Sequence, residues 1–236
     1  MVYGKQYAVN MTIAERIQII KACIHQAEQA GNREPGAVKL LAVSKSHPTA
    51  AIAEAYTAGI RDFGENYLQE AQLKIKQLAH LPISWHFIGP IQSNKVKGIA
   101  SQFSWVHSLC RYEIAEALNN LRPPHLPPLN ICLQVNFDDE KKSGIKPEMA
   151  HTLAAQVFNL PRLTLRGLMM IPKPLQTHEQ QYASFMRLTH LRHELNEQLH
   201  VQLDTLSMGM SDDLCAAIEA GSTLVRIGRA IFGERR

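Results

Sequence analysis

The sequence predicts an α/β fold: a single-domain (β/α)8 barrel of the TIM type over residues 1–236, with an extra N-terminal helix. Three observations point there. Eight short apolar runs rich in β-branched residues alternate with helix-like stretches, the strand count of a closed parallel barrel. No G-x-G-x-x-G follows the first run, which removes the usual dinucleotide reason for an open doubly wound sheet. That open sheet stays the alternative. The loops after the seventh and eighth runs carry Gly with Ser and Arg, where such barrels often place a phosphate site.

The elements follow in order. In Thr12–Gln29, Ile13, Ile17, Ile20 and Ile24 share a helical face, and Thr12 with Glu15 makes a capping box. Val38–Val43 is apolar apart from Lys39, close to the pattern of a strand buried on both faces. Further strands are expected at Ile60–Phe63, Ser84–Ile88, Trp105–His107, Leu129–Val135, Leu163–Leu168, Gln202–Leu206 and Thr223–Ile227. Helices are expected at Ala50–Ala58, Tyr67–Leu78, Tyr112–Leu121, Pro147–Phe158, His178–Leu199 and Ser211–Ala220, with a short one after Asn94. Arg122–Pro128 is Pro-rich. It reads as the loop before the fifth strand, because proline cannot continue the preceding helix; a polyproline II ligand is the other reading.

Composition excludes several classes. The chain of 236 residues is 45% hydrophobic and 19% charged, which argues for a packed core and against disorder. The net charge of +4 is too small, and its charges too scattered, to imply nucleic acid. The four cysteines, Cys23, Cys110, Cys132 and Cys215, form no CxxC pair and no metal spacing, so reduced buried thiols are expected. Met1–Asn10 has no apolar core of a signal peptide, and no apolar run is long enough to span a membrane, so a cytoplasmic protein is expected.

The chemistry centres on Lys45, directly after the first apolar run in Leu40-Leu-Ala-Val-Ser-Lys45. At the carboxyl end of a first barrel strand it would sit at the mouth where these folds do chemistry. A desolvated lysine amine there can form a Schiff base with a carbonyl compound; a solvated rim charge is the plainer reading. Two segments shift the balance. Ser207-Met-Gly-Met-Ser-Asp212 follows the seventh strand, and Arg226-Ile-Gly-Arg-Ala230 follows the eighth. Gly209 and Gly228 allow close backbone approach, and exposed N–H groups at a helix start attract anions. Asp212 and Asp213, expected in the first turn of the helix after Ser211, already complement its dipole. The phosphate is therefore expected near Gly228 and Arg229, with Ser207 adding a hydroxyl. Asn66, His86, His107, Asn136 and the pair Met169-Met170 also fall at or near strand ends as pocket candidates. A lysine facing a phosphate site suits pyridoxal 5′-phosphate (PLP) or a sugar phosphate in a lysine-dependent aldolase.

Seven strings occur together and in order: Ala42-Val-Ser-Lys45, Phe63-Gly-Glu-Asn-Tyr67, Trp85-His-Phe-Ile-Gly-Pro-Ile-Gln-Ser-Asn-Lys95, Lys142-Ser-Gly-Ile145, Arg166-Gly-Leu-Met169, Ser207–Asp212, and Arg226-Ile-Gly228 with Ile231-Phe-Gly233. Over nearly its whole length the chain resembles the pyridoxal phosphate homeostasis protein family, also called the PLP-binding protein family. The resemblance implies a barrel related to the alanine racemase N-terminal domain. It implies that Lys45 is the Schiff-base lysine, that Ser207, Arg226 and Gly228 lie near the phosphate or pyridine ring, and that Asn66 lines the pocket. It makes Lys142 a second lysine able to receive the cofactor. In this family a Thr or Ser usually follows the Arg-Ile-Gly motif; here Arg229 stands in that place.

The function expected is intracellular PLP (vitamin B6) homeostasis, with PLP held as a Schiff base at Lys45 and no catalysis. Apo forms of PLP-dependent enzymes are the expected transient recipients, with no metal, nucleic acid or membrane involved. A PLP-dependent amino-acid racemase is the alternative. Such an enzyme needs a second, β-rich domain and a tyrosine base from a partner subunit, and this chain leaves no room for that domain after Gly233.

Overall fold

The computed structural model describes residues 11–138 and 143–234. Eight parallel strands, each paired to the next and the last to the first, close a barrel in the order β1 to β8. They are β1 Lys39–Val43, β2 Asp62–Glu65, β3 Ser84–Phe87, β4 Trp105–Leu109, β5 Leu129–Gln134, β6 Leu163–Met169, β7 Thr205–Ser207 and β8 Leu224–Ile227. Closure runs from Lys39 beside Leu224 to Ala42 beside Ile227. The helices are α1 Ile13–Ala30, α2 Thr49–Thr57, α3 Leu68–Gln77, α4 Val96–Gln102, α5 Tyr112–Leu121, α6 Ala150–Phe158, α7 His178–Leu199, α8 Leu214–Glu219 and α9 Arg229–Phe232. Helices on the outside bury the strands on both faces, which is why Leu40–Val43 of β1 and Ile131–Leu133 of β5 read as apolar runs.

The expected N-terminal helix is α1. Its capping box is present in both directions: the Thr12 amide donates to Glu15 Oε2 at 2.8 Å, and the Glu15 amide to Thr12 Oγ1 at 3.2 Å. Ile17, Ile20, Ile24 and Ala27 bury its inner face against α8 and α9. The Pro-rich segment is a pinned loop: buried Arg122 donates to the carbonyls of Ala100 and Phe103, each at 2.7 Å, and of Pro127 at 2.8 Å.

Several elements differ from expectation: the second strand runs Asp62–Glu65 rather than Ile60–Phe63, and three others differ nearer the site. The seventh strand starts at Thr205 rather than Gln202, because the Leu203 amide donates to Asn196 Oδ1 (2.8 Å) and the Asp204 carboxylate turns to Arg166 (2.6 Å). Helix α8 begins at Leu214, and its N-cap is Asp213. The Asp213 carboxylate instead accepts from the Met210 amide at 2.6 Å and closes the turn before the helix. Ser211 is thus not the cap, and the two aspartates do not occupy the first helical turn. Helix α9 has four residues, too few to leave a periodic signal. No helix among the described residues is long and apolar enough to cross a membrane, and no group of His, Cys, Asp and Glu among them is placed to hold a metal ion. The four thiols are unpaired; Cys132 is buried, whereas Cys23, Cys110 and Cys215 are half-buried.

Candidate functional site

The first strand ends at Val43, and Lys45 sits half-buried in the turn that follows. That turn is held from below. Ser44 is fully buried, and its hydroxyl donates to Glu65 Oε1 at 2.6 Å. Ser46 adopts a left-handed conformation, φ 64°, unusual for a residue with a side chain. Its amide donates to Glu70 Oε1 at 2.5 Å. Lys74, on α3, binds the whole arrangement: its ammonium donates to the Ser44 carbonyl (2.7 Å), Glu65 Oε1 (2.7 Å) and Glu70 Oε1 (2.6 Å). Burial raises the Glu65 carboxyl above its ordinary value, while the Lys74 charge and hydrogen bond pull it back. On the other side of the turn, the His47 ring stacks on Phe232 of α9 at 4.9 Å. The turn carrying Lys45 is thereby fixed to two separate helices.

The neighbouring strand ends complete the mouth. Gly228, at the N-cap of α9, packs against Val43, two residues before Lys45. Asn66 follows β2, and its Oδ1 is buried with no hydrogen-bond partner among the described residues. Gly89, in the loop after β3, presses so closely on this segment that a Cβ would lie 2.2 Å from the Asn66 carbonyl oxygen. Gly209 turns the chain after β7 with φ 99°, and a side chain there would strike Ala217 of α8.

Arg226 reaches this end from inside β8. It is 5% exposed and held by three acceptors: the Ser207 carbonyl (2.5 Å), the Ser207 hydroxyl (2.9 Å) and the Met170 carbonyl (2.9 Å). Burial pushes its guanidinium down to about 10, opposed by the negative charge of Asp213, and it stays cationic at neutral pH. Arg229 points elsewhere. Its side chain is 72% exposed and pairs with Glu234 at 3.4 Å, so it does not replace the missing hydroxyl at the mouth.

Two of the expected contact residues lie deeper than the mouth. Ser207 has no exposed surface, and its hydroxyl lies between His107 and Arg226, one layer beneath the mouth. His86 lies further still. It stacks on Trp105 at 5.4 Å, donates toward Asp62 at the start of β2 (3.0 Å) and lines a cleft of about 240 Å³ at the opposite, amino-terminal end of the barrel. Strand alternation places His86 inside, but its depth in the barrel is not visible in sequence. The structure therefore gathers Lys45, Asn66, Gly209, Arg226 and Gly228 at one end, sets Ser207 below them and His86 away from them. Lys142 lies outside the described residues. Sequence reasoning missed Lys74; its only signal was the Glu70–Lys74 spacing of four, which ordinarily marks a solvated helix pair.

The two imidazoles in the barrel predict an acid sensitivity. Burial lowers His86 below the ordinary 6.5, partly offset by Asp62, and lowers His107 well below it. Unfolding returns both toward 6.5, so the unfolded chain binds more protons below about that pH. Stability is then fully present above the unfolded value and is lost as pH falls toward the folded values. The loss reaches at most about 1.4 kcal/mol per pH unit for each imidazole. Urea unfolding at about pH 7.5 and about pH 5.5 should show this loss, and His107→Phe should flatten it.

Comparison with known proteins adds a second line. The family model described as the alanine racemase N-terminal domain matches residues 20–236. The chain is 57% identical over 225 residues to the pyridoxal phosphate homeostasis protein of Pseudomonas aeruginosa, covering 95% of this chain and 96% of that one. It is 51% identical over 229 residues to the protein of the same name from Vibrio cholerae, covering 95% and 97%. Among solved structures, PipY of Synechococcus elongatus with PLP bound superposes with a TM-score of 0.84 at 36% identity, covering 94% of this chain and all of that one. Alanine racemase from Corynebacterium glutamicum matches at a TM-score of 0.68 and 14% identity, over 94% of this chain and 61% of that one, a likeness of fold alone.

Proposed function

The chain belongs to the pyridoxal phosphate homeostasis protein family, built on the alanine racemase N-terminal fold, and from that membership we propose that it binds PLP and serves as an intracellular store of it. When bound, PLP supplies an aldehyde that condenses with a primary amine, losing water and forming a Schiff base, here with Lys45 Nζ. The observation that carries this reading is the fixed Lys45 turn, which shares the carboxyl-terminal mouth with the buried cation Arg226. The residues fit the cofactor. Asn66 Oδ1 is a buried acceptor without a partner, and Arg226 keeps N–H groups uncommitted among the described residues.

Each group then has a role. Lys45 tethers. The backbone amides at the start of α9, from Gly228 to Ala230, meet the phosphate, since first-turn N–H groups have no partner within a helix. Gly209 shapes the loop beside them. Arg226, deep and cationic, donates to the pyridine nitrogen and favours its unprotonated form, which weakens the electron withdrawal that PLP enzymes exploit. That weakening supports storage without catalysis, with apo enzymes as the recipients and Lys142 as a second landing point on the way out.

The test is the visible spectrum after adding PLP to the purified protein. An imine band is expected, and its absence would sink the reading. D-alanine formed from L-alanine faster than with free PLP would replace it by the racemase reading. Arg229→Thr, which restores the hydroxyl, is expected to change PLP affinity by no more than about twofold, the scale of an exposed substitution. A larger gain would mean that the hydroxyl matters.

A further inference from the structure

A chain of polar side chains crosses the barrel core from its amino-terminal end toward the mouth. Asp62 of β2 meets His86 of β3, with Nε2 3.0 Å from Oδ1. His86 Nδ1 lies 2.9 Å from His107 Nε2 of β4. His107 Nδ1 lies 2.8 Å from the Ser207 hydroxyl at the end of β7. The Ser207 oxygen in turn accepts from Arg226 Nη1 at 2.9 Å. His86, His107 and Ser207 are each at most 1% exposed.

The proton positions follow from one rule: a neutral imidazole carries a single N–H, on one nitrogen or the other. Asp62 is ionised; burial raises its carboxyl, but the His86 and Ser84 hydrogen bonds and the nearby Lys39 charge help to bring it below its ordinary value. An ionised carboxylate only accepts, so His86 carries its proton on Nε2 and accepts at Nδ1. His107 must then donate from Nε2 and accept at Nδ1. The Ser207 O–H can donate only inward, to His107. Reversing any member would set two lone pairs or two protons against each other at hydrogen-bond distance. Cys132 lies near Arg226 and Asp213 faces it, but no hydrogen bond joins either of them to the guanidinium.

We propose that Asp62, His86 and His107 are positioning residues for the ligand mouth: their ordered hydrogen bonds turn the Ser207 oxygen into a fixed acceptor and so hold Arg226 with its free N–H groups toward the ligand. This rests on the reading of Arg226 as the ring-nitrogen contact. It places the control of cofactor geometry at the far end of the barrel, where Asp62 lines the cleft with Lys39, Trp105, Arg166 and Asp204. Among the described residues, the Asp62 carboxylate makes no hydrogen bond or ion pair with Arg226, so its effect on that guanidinium runs through the chain.

The experiment reads imidazole protons and PLP together. In protein labelled with ¹⁵N-histidine, without PLP, both His86 and His107 are expected to be neutral with the proton on Nε2. Asp62→Asn, at a side chain 31% exposed, keeps the fold and removes the charge that orders the chain. It is expected to move part of the His107 population to the Nδ1–H form and to weaken PLP binding roughly tenfold, the scale of one charge-assisted hydrogen bond. Asp204→Asn, in the same cleft but outside the chain, is expected to change neither. A wild-type His107 protonated on Nδ1 overturns the proposal without any variant. So does an Asp62→Asn protein whose His107 tautomer or PLP affinity is unchanged. If the wild-type tautomers are as stated but PLP gives no imine band, the proposed function fails and, with it, the ligand-side half of this proposal.

Discussion

Lys45→Ala is expected to abolish the imine band that PLP gives with the wild-type protein. Among the described residues of the mouth, Lys45 carries the amine expected to make the covalent bond, because Arg226 is a guanidinium and cannot condense with an aldehyde at neutral pH. The nearest other lysine of the arrangement, Lys74, has all three N–H groups taken by Ser44, Glu65 and Glu70. The variant should still hold PLP through its phosphate and ring nitrogen, with the spectrum of the free aldehyde. It should also fold, because Lys45 is half-buried in a turn that is anchored by backbone contacts of Ser44 and Ser46. Borohydride reduction followed by peptide mass analysis locates the adduct: in the wild type it belongs on the peptide containing residue 45. An undiminished band in Lys45→Ala would move the covalent site to another lysine.

Lys74→Met should be the most destabilising change near the site, by about 3–5 kcal/mol, because it strands buried charge. Lys74 is 5% exposed and Glu65 is fully buried, and Glu65 Oε2 already lacks a partner among the described residues. Methionine matches the length of the chain but leaves the carboxylate without a countercharge in the interior, with only the Ser44 hydroxyl donating to it. The loss has a pH signature. Burial raises the Glu65 carboxyl above its ordinary 4.5, and removing Lys74 takes away the charge that opposes that rise. For a raised group, stability is greatest below the unfolded value and is lost as pH rises through the folded one. Lys74→Met should therefore recover stability as pH falls from about 7 toward about 5, within the limits set by the two buried histidines. Adding Glu65→Gln should recover much of it at neutral pH. Urea unfolding of the single and double variants measures both effects. A single variant within about 1 kcal/mol of wild type would show that the cluster is solvated rather than buried.

Most of the barrel was legible because its physics is local. A parallel strand buried on both faces is mostly apolar, so Leu40–Val43 of β1 and Ile131–Leu133 of β5 stand out as runs, and a helix on the outside must be amphipathic, so α1 shows its isoleucine face. Lys45 was legible for the same reason: a charge at the end of such a run has few places to go. What failed was depth and distance. His86 and His107 alternate inward alike, and sequence does not say that one layer faces Asp62 and the other Ser207. The links of that chain join residues 24, 21 and 100 positions apart, so no window along the sequence contains them. The displaced start of β7 was hidden because Leu203 and Asp204 look like strand residues until Asn196 and Arg166 claim their polar groups.

The three acceptors around Lys74 have a chemical consequence of their own. A protein that stores a reactive aldehyde exposes its own amines to it, and an amine condenses only when its nitrogen lone pair is free to attack. Lys74 sits directly beneath the tethering turn, yet its nitrogen donates in three directions at once and lies out of solvent. Under the proposed function, the same contacts that shape the turn would withhold the neighbouring amine from a bound aldehyde. Along this wall of the pocket, selectivity for Lys45 over Lys74 would then follow from hydrogen-bond saturation rather than from any difference in amine chemistry.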